Sequence, residues 1–211
     1  MSDTETFNKE VQLSEEDMQS VLDCRKITLR NAVRGLSMSK GSDGITTDES
    51  DIKESNGQFF CNGMLLEQPF GVGDVLKLKS RTANVLVKVI SVHTERLQDM
   101  DGLKAYNEGI EVEIPPACKG VTFPKDMGTW SESAREEWFK KTARARYIAN
   151  IELNNRFLRK FSNQWNKSLS AEDFDKYCWN SNPYVFVTEF RMLSDICSCE
   201  RSMDMLKCAT L

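Results

Sequence analysis

Residues 84–94, NVLVKVISVHT, constrain the fold more than any other stretch of this chain. Valine, isoleucine and leucine fill the run almost without interruption. β-Branched side chains are stiff at χ1 and pack well on a pleated surface, so the run predicts a strand. Because it is apolar at both parities, it predicts a strand inside a closed sheet or one covered on both faces. Residues 184–190, YVFVTEF, read as a second strand, and DVLKLK (74–79) as a third, with Leu76 and Leu78 on one face.

Helical segments stand before and between these strands. In LSEEDMQSVLDC, Ser14 is a candidate N-cap with Asp17 three residues on, and Met18, Val21 and Leu22 form an apolar helical face. Residues 97–110, LQDMDGLKAYNEGI, predict a loop and a short helix ending at Gly109. A long helix is predicted over 131–166, with a break near Asn150 or at Asn154–Asn155. Residues 1–12 read as a loose tail, 35–58 as a Gly/Ser/Asp-rich flexible loop, 111–150 as an insertion and 194–211 as a C-terminal tail. The expectation is one α+β domain over 13–193, a small mixed β-barrel or curled sheet flanked by helices.

Several classes of function are disfavoured. The net charge of −4 gives no global basic field, so any nucleic-acid contact has to be local. No apolar run approaches the roughly 18 residues that span a bilayer, and the polar, acidic opening is no signal peptide, so the expectation is a cytoplasmic protein without membrane contact. Phosphate-cradling glycine loops are absent. Seven cysteines in such a setting read as reduced thiols. The C-x-C of Cys197 and Cys199, with Cys208 beyond, lacks the second pair and the histidine of a structural zinc site, so neither metal nor cofactor is expected. The only histidine, His93, sits in the strand pattern and reads as a half-buried strand residue.

Two polar constellations remain. In RKITLR (25–30), Ile27 and Leu29 alternate with Lys26, Thr28 and Arg30, which sets an amine, a hydroxyl and a guanidinium in a row. Such a row is either a solvated strand face or the wall of a ligand site. Residues 135–160 carry eight basic and three acidic residues interleaved with aromatics. Lys140, Lys141, Arg144, Arg156, Arg159 and Lys160 there are candidate nucleic-acid contacts, the alternative being an ordinary solvated helix face. The acidic residues 43–54 and the tail suit contact with another protein.

Four pieces in a fixed order carry a resemblance: LDCRKITLR, GDVLKLK, ERLQDM…AYNEGI and FSNQW…WNSNPYVFVTEFRML. Over residues 14–34, 67–110 and 152–193 the chain resembles the ASCH family of the PUA-like superfamily. It looks most like the phage-encoded ASCH-like proteins labelled morphogenetic, and more distantly like the bacterial acetylcytidine amidohydrolases. The family opening usually has glycine where this chain has Cys24. The resemblance implies a PUA-like mixed barrel flanked by helices, and a ligand cleft along residues 25–30. It implies recognition of RNA or a modified nucleoside, with Arg25 and Arg30 as ligand contacts. For a phage-type accessory protein, a host or virion protein is an alternative partner. The amidohydrolase relatives imply that Lys26, Thr28 and Glu108 are the catalytic set for deacylating a nucleoside.

Overall fold

The computed structural model describes residues 9–34, 52–119, 124 and 126–193. Strand β1 (Lys9–Gln12) leads into helix α1 (Glu15–Leu22) and strand β2 (Thr28–Ala32). A three-stranded antiparallel meander follows: β3 (Ile52–Ser55), β4 (Gln58–Cys61) and β5 (Met64–Leu65). Next come β6 (Val75–Lys79), the long β7 (Asn84–Arg96), and helices α2 (Gly102–Asn107), α3 (Pro116–Lys119), α4 (Glu132–Ser168) and α5 (Ala171–Tyr177). Strand β8 (Tyr184–Met192) is the last element.

The main sheet has the order β1-β6-β7-β8-β2. Its β1–β6 pair is parallel and the other pairs are antiparallel. It curls into a half-barrel, so the molecule is α+β with a curled mixed sheet and helices around it.

Strand β8 shows how the sheet is covered. Phe186 and Phe190 face a core shared with Met18 and Val21 of α1, Leu29 of β2, Phe59 and Cys61 of β4, and the valines of β7. Val185 and Val187 face the opposite way, against Ala105 of α2 and Phe157 and Phe161 of α4. Both parities of β8 are therefore buried, as its apolar sequence requires.

Strand β7 departs from strict alternation. Val85, Val87 and Val89 face the first core, yet so does Val92. Val89 pairs with Phe190 and Ser91 with Glu189, so Ile90 is an extra residue that forms a bulge. Beyond the bulge, Ser91, His93 and Glu95 lie opposite Glu189, Val187 and Val185. They therefore share the sheet face of Arg30 and Ala32, which pair with Val187 and Val185 from the other side.

Other expectations change too. Residues 9–12, predicted as tail, form β1, because Val11 packs on the core and the backbone pairs along β6. Residues 52–55 and the start of β4, predicted as part of the 35–58 loop, belong to the meander, where Ile52 and Phe59 meet the core. Helix α4 runs unbroken past Asn150, Asn154 and Asn155, across the boundary predicted for the insertion. Asn154 turns its amide outward: its Oδ1 accepts from the Gly102 N–H at 2.6 Å, supporting the first turn of α2. A Cβ on Gly102 would lie 3.0 Å from that oxygen, so glycine permits the approach. Cys24 is disulfide-bonded, against the expectation of reduced thiols throughout, while Cys61 and Cys178 are free. The remaining residues of the predicted tails and loop, with Cys197, Cys199 and Cys208, lie outside the described residues. Among the described residues, no helix is long and apolar enough to cross a membrane.

Candidate functional site

The site begins with the turn out of α1. Ser14 Oγ accepts from the Asp17 N–H at 3.0 Å and caps the helix. At the other end the chain reverses through Cys24, whose φ of 56° is left-handed. Glycine adopts that conformation without strain, which is a physical reason for the glycine of the resembling opening motif. Lys26 then bridges the backbone of Glu108 at the end of α2, and the Ile27 N–H donates to the Asn107 carbonyl at 2.8 Å. Gly109, at φ 85°, completes the junction. A Cβ there would lie 2.9 Å from the Ser20 Cβ and 3.1 Å from the Lys26 Cβ. Residue 109 must be glycine for both its dihedral and its space.

This junction brings Lys26, Thr28 and Glu108 into one hydrogen-bonded cluster. Lys26 Nζ donates to the Glu108 carbonyl at 2.7 Å and lies 3.4 Å from Glu108 Oε2 and 3.3 Å from Asp17 Oδ1. Thr28 Oγ1 donates to Glu108 Oε1 at 2.7 Å, with the Asn107 carbonyl a second acceptor at 3.1 Å. Arg30 Nη1 donates to the same Oε1. All three side chains of the expected set are buried, with Lys26, Thr28 and Glu108 at 8%, 4% and 6% exposure. The polar face of residues 26–30 is therefore not a solvated strand face.

A second carboxylate lies behind the first. Arg30 Nη2 donates to Glu95 Oε1 at 2.8 Å, and Lys104 Nζ to Glu95 Oε2 at 2.7 Å. His93 Nε2 is 3.8 Å from the same Oε2. Burial pushes the Glu95 carboxyl up, but hydrogen bonds from His93, Lys104 and Arg30 and the Arg30 charge outweigh it and hold the group at about 2. Lys26, Arg30 and Lys104 thus alternate with Asp17, Glu108 and Glu95. Removing one of the buried members of this set, Lys26, Arg30 or Glu108, costs about 3–5 kcal/mol, because the partners are left uncompensated.

Lys26 and Glu108 also line an open cleft of about 420 Å³ between α1 and the C-terminal part of α4. Asp17 and Glu16 form one side, and Phe161, Gln164, Trp165 and Lys167 the other. Trp165 stacks on Phe161, with ring centres 6.2 Å apart, and its indole N–H donates to the Tyr177 carbonyl at 2.7 Å. The cleft thus joins an aromatic wall to the buried ammonium of Lys26 and carboxylate of Glu108, within the size range of small-ligand sites.

Five predicted contacts have other partners. Arg30 lies behind Glu108, with its side chain 3% exposed and its Nη atoms on carboxylates, so it does not line the cleft. Arg25 pairs with Asp23 at 3.1 Å and Glu111 at 3.7 Å and is also outside the cleft lining. On α4, Arg156 bonds Glu152 and the Glu113 carbonyl, and Lys140 lies 3.8 Å from Glu136. Lys160 donates to the Glu111 carbonyl and lies 3.9 Å from Glu16 at the cleft. Lys141, Arg144 and Arg159 are exposed. Lys140 and Phe161 are 21 residues apart on one helix, roughly 30 Å along its axis, so Lys140, Lys141 and Arg144 do not border the cleft.

Asp17, Glu95, Lys104 and the α4 wall were not singled out as site residues. Asp17 stood out only in the helix cap, and Trp165 only within the FSNQW motif of the resemblance. Glu95 follows His93 in the strand run but is 65 residues from Arg30, and no local pattern joins them. Compared with known proteins, the chain matches no family model, no curated protein and no solved structure.

Proposed function

We propose that this chain is an ASCH-type protein of PUA-like fold that takes a modified nucleoside into the cleft at Lys26 and Glu108 and hydrolyses an N-acyl group from its base. The observation that carries the reading is the joining of Lys26, Thr28 and Glu108 in one hydrogen-bonded cluster whose lysine and glutamate line the cleft. These residues come from separate parts of the chain and are the set implied by the amidohydrolase resemblance.

The positions assign roles. Glu108 Oε1 is engaged by Thr28 and Arg30, which leaves Oε2, on the Lys26 side, to meet a ligand or a water. Thr28 does not line the cleft, so it orients the carboxylate rather than attacking the substrate. In the proposed reaction Lys26 donates to the amide oxygen while Glu108 takes a proton from water. The water oxygen bonds to the acyl carbon, the C–N bond breaks, and the proton passes to the departing nitrogen. The products are a carboxylic acid and the free exocyclic amine. Trp165 supplies an apolar wall for the base.

Binding along a nucleic-acid strand has less support, because Lys140, Lys141 and Arg144 lie far along α4 from the cleft, Lys140 by roughly 30 Å. The test is incubation of the purified protein with acetylated cytidine and a panel of acylated nucleosides, followed by chromatography. Turnover by wild type that falls by about a hundredfold or more in Lys26→Ala and Glu108→Ala is the expected result. No turnover on any member of the panel overturns the hydrolytic reading.

A further inference from the structure

We infer that Glu95 is a positioning residue of this site: by holding one arm of Arg30, it keeps Glu108 Oε2 turned toward Lys26 and the cleft. The inference rests on the functional reading above only in the meaning given to that oxygen; the geometry stands by itself.

Arg30 is the link. Its guanidinium lies between two carboxylates, Nη1 on Glu108 Oε1 and Nη2 on Glu95 Oε1. Its Nε is buried and has no hydrogen-bond partner. Among the described residues no other hydrogen bond fixes the plane of the group, so its orientation follows from the two carboxylates. An arginine offered a single carboxylate prefers the two-bonded fork, with both oxygens engaged. Glu95 prevents this at Glu108 by claiming the second arm. Glu108 consequently gives Arg30 only Oε1, which it shares with Thr28, and Oε2 stays 3.4 Å from Lys26.

Glu95 is itself held firmly. Its Oε2 accepts from Lys104 at 2.7 Å, and Lys104 also donates to the Asp99 carbonyl at 2.8 Å. Both bonds arise where β7 runs into the turn before α2, the helix that ends at Glu108. The anchor of Arg30 and the carboxylate it orients are thus joined through a short stretch of chain as well as through the guanidinium.

The test pairs crystal structures with kinetics for Glu95→Ala and Glu95→Gln. In Glu95→Ala, both Arg30 Nη atoms are expected on Glu108, with Oε2 drawn away from Lys26. Glu95→Gln keeps an acceptor for Nη2 and is expected to retain the wild-type arrangement even if the alanine variant folds poorly. On an acylated nucleoside that wild type turns over, Glu95→Ala should lower kcat by about tenfold or more with KM little changed, and Glu95→Gln should recover most of the loss. A Glu95→Ala structure with Oε2 still beside Lys26 overturns the inference. So does a glutamine variant that loses the Arg30 contact, or as much kcat as the alanine variant. Absence of turnover in wild type counts against the hydrolytic reading alone, since the two crystal structures still decide the role of Glu95.

Discussion

Glu108 has a different partner on each side, and each partner sets a different property. Thr28 and Arg30 fix one oxygen, Lys26 faces the other, and Gly109 brings the residue close enough to the opening strand for these contacts. Glu95 makes the strongest residue-scale prediction. Its carboxyl is held at about 2 rather than 4.5 in the folded protein. A group with a depressed folded value stabilises the fold above its unfolded value, and that contribution is lost as pH falls from about 4.5 through about 2. The amount is on the order of 2–3 kcal/mol. Glu95→Gln should therefore be less stable than wild type at neutral pH, and the difference should shrink as acid is added. Urea midpoints recorded between pH 7 and pH 2 check this, and parallel curves for the two proteins would refute it.

At the scale of elements, β7 and α4 do the positioning. The bulge at Ile90 lets Val92 follow Val89 into the core and leaves Ser91, His93 and Glu95 on the other face. Deleting Ile90 alone should leave an uninterrupted ladder with the same faces, because Val89 and Ser91 already pair with neighbouring residues of β8. Deleting Ile90 and Ser91 together should reverse the parity and aim Glu95 at the Phe186 side, where an unpaired carboxylate costs several kcal/mol. Thermal melts of the two deletion proteins check this. Cooperative unfolding is expected for the single deletion and its loss for the double one. Helix α4 acts through its C-terminal half, where Phe157 and Phe161 are buried and Trp165 walls the cleft.

For the whole molecule, a net charge of −4 and a cleft with three acidic and two basic lining residues set the electrostatics. Screening at 0.1 M salt acts over about 10 Å. The basic residues near the start of α4 lie well beyond that from the cleft. The combined change of Lys140, Lys141 and Arg144 to glutamate should therefore leave affinity for the proposed nucleoside ligand within about twofold. Equilibrium binding of acetylated cytidine at 0.1 M salt measures it, and a tenfold loss would place those residues in the ligand path.

The sequence by itself determined what local physics controls. The apolar run of β8 is a strand covered on both faces, while β7 is a strand whose first half is covered on one face only, with Leu86 and Ile90 exposed, and Ser14 with Asp17 marks where α1 starts. The combination of Lys26, Thr28 and Glu108 was legible only because the order of motifs resembles a family; composition and periodicity alone left residues 26–30 open between surface and site. The meeting of Arg30 with Glu95, the bulge at Ile90 and the unbroken course of α4 through Asn154 were decided by tertiary structure. Each depends on a partner far away in the chain: Glu95 for Arg30, β8 for the bulge, and Gly102 for Asn154. A periodic pattern can assign a side chain to a face, but the face across from it is supplied only when the sheet and helices pack.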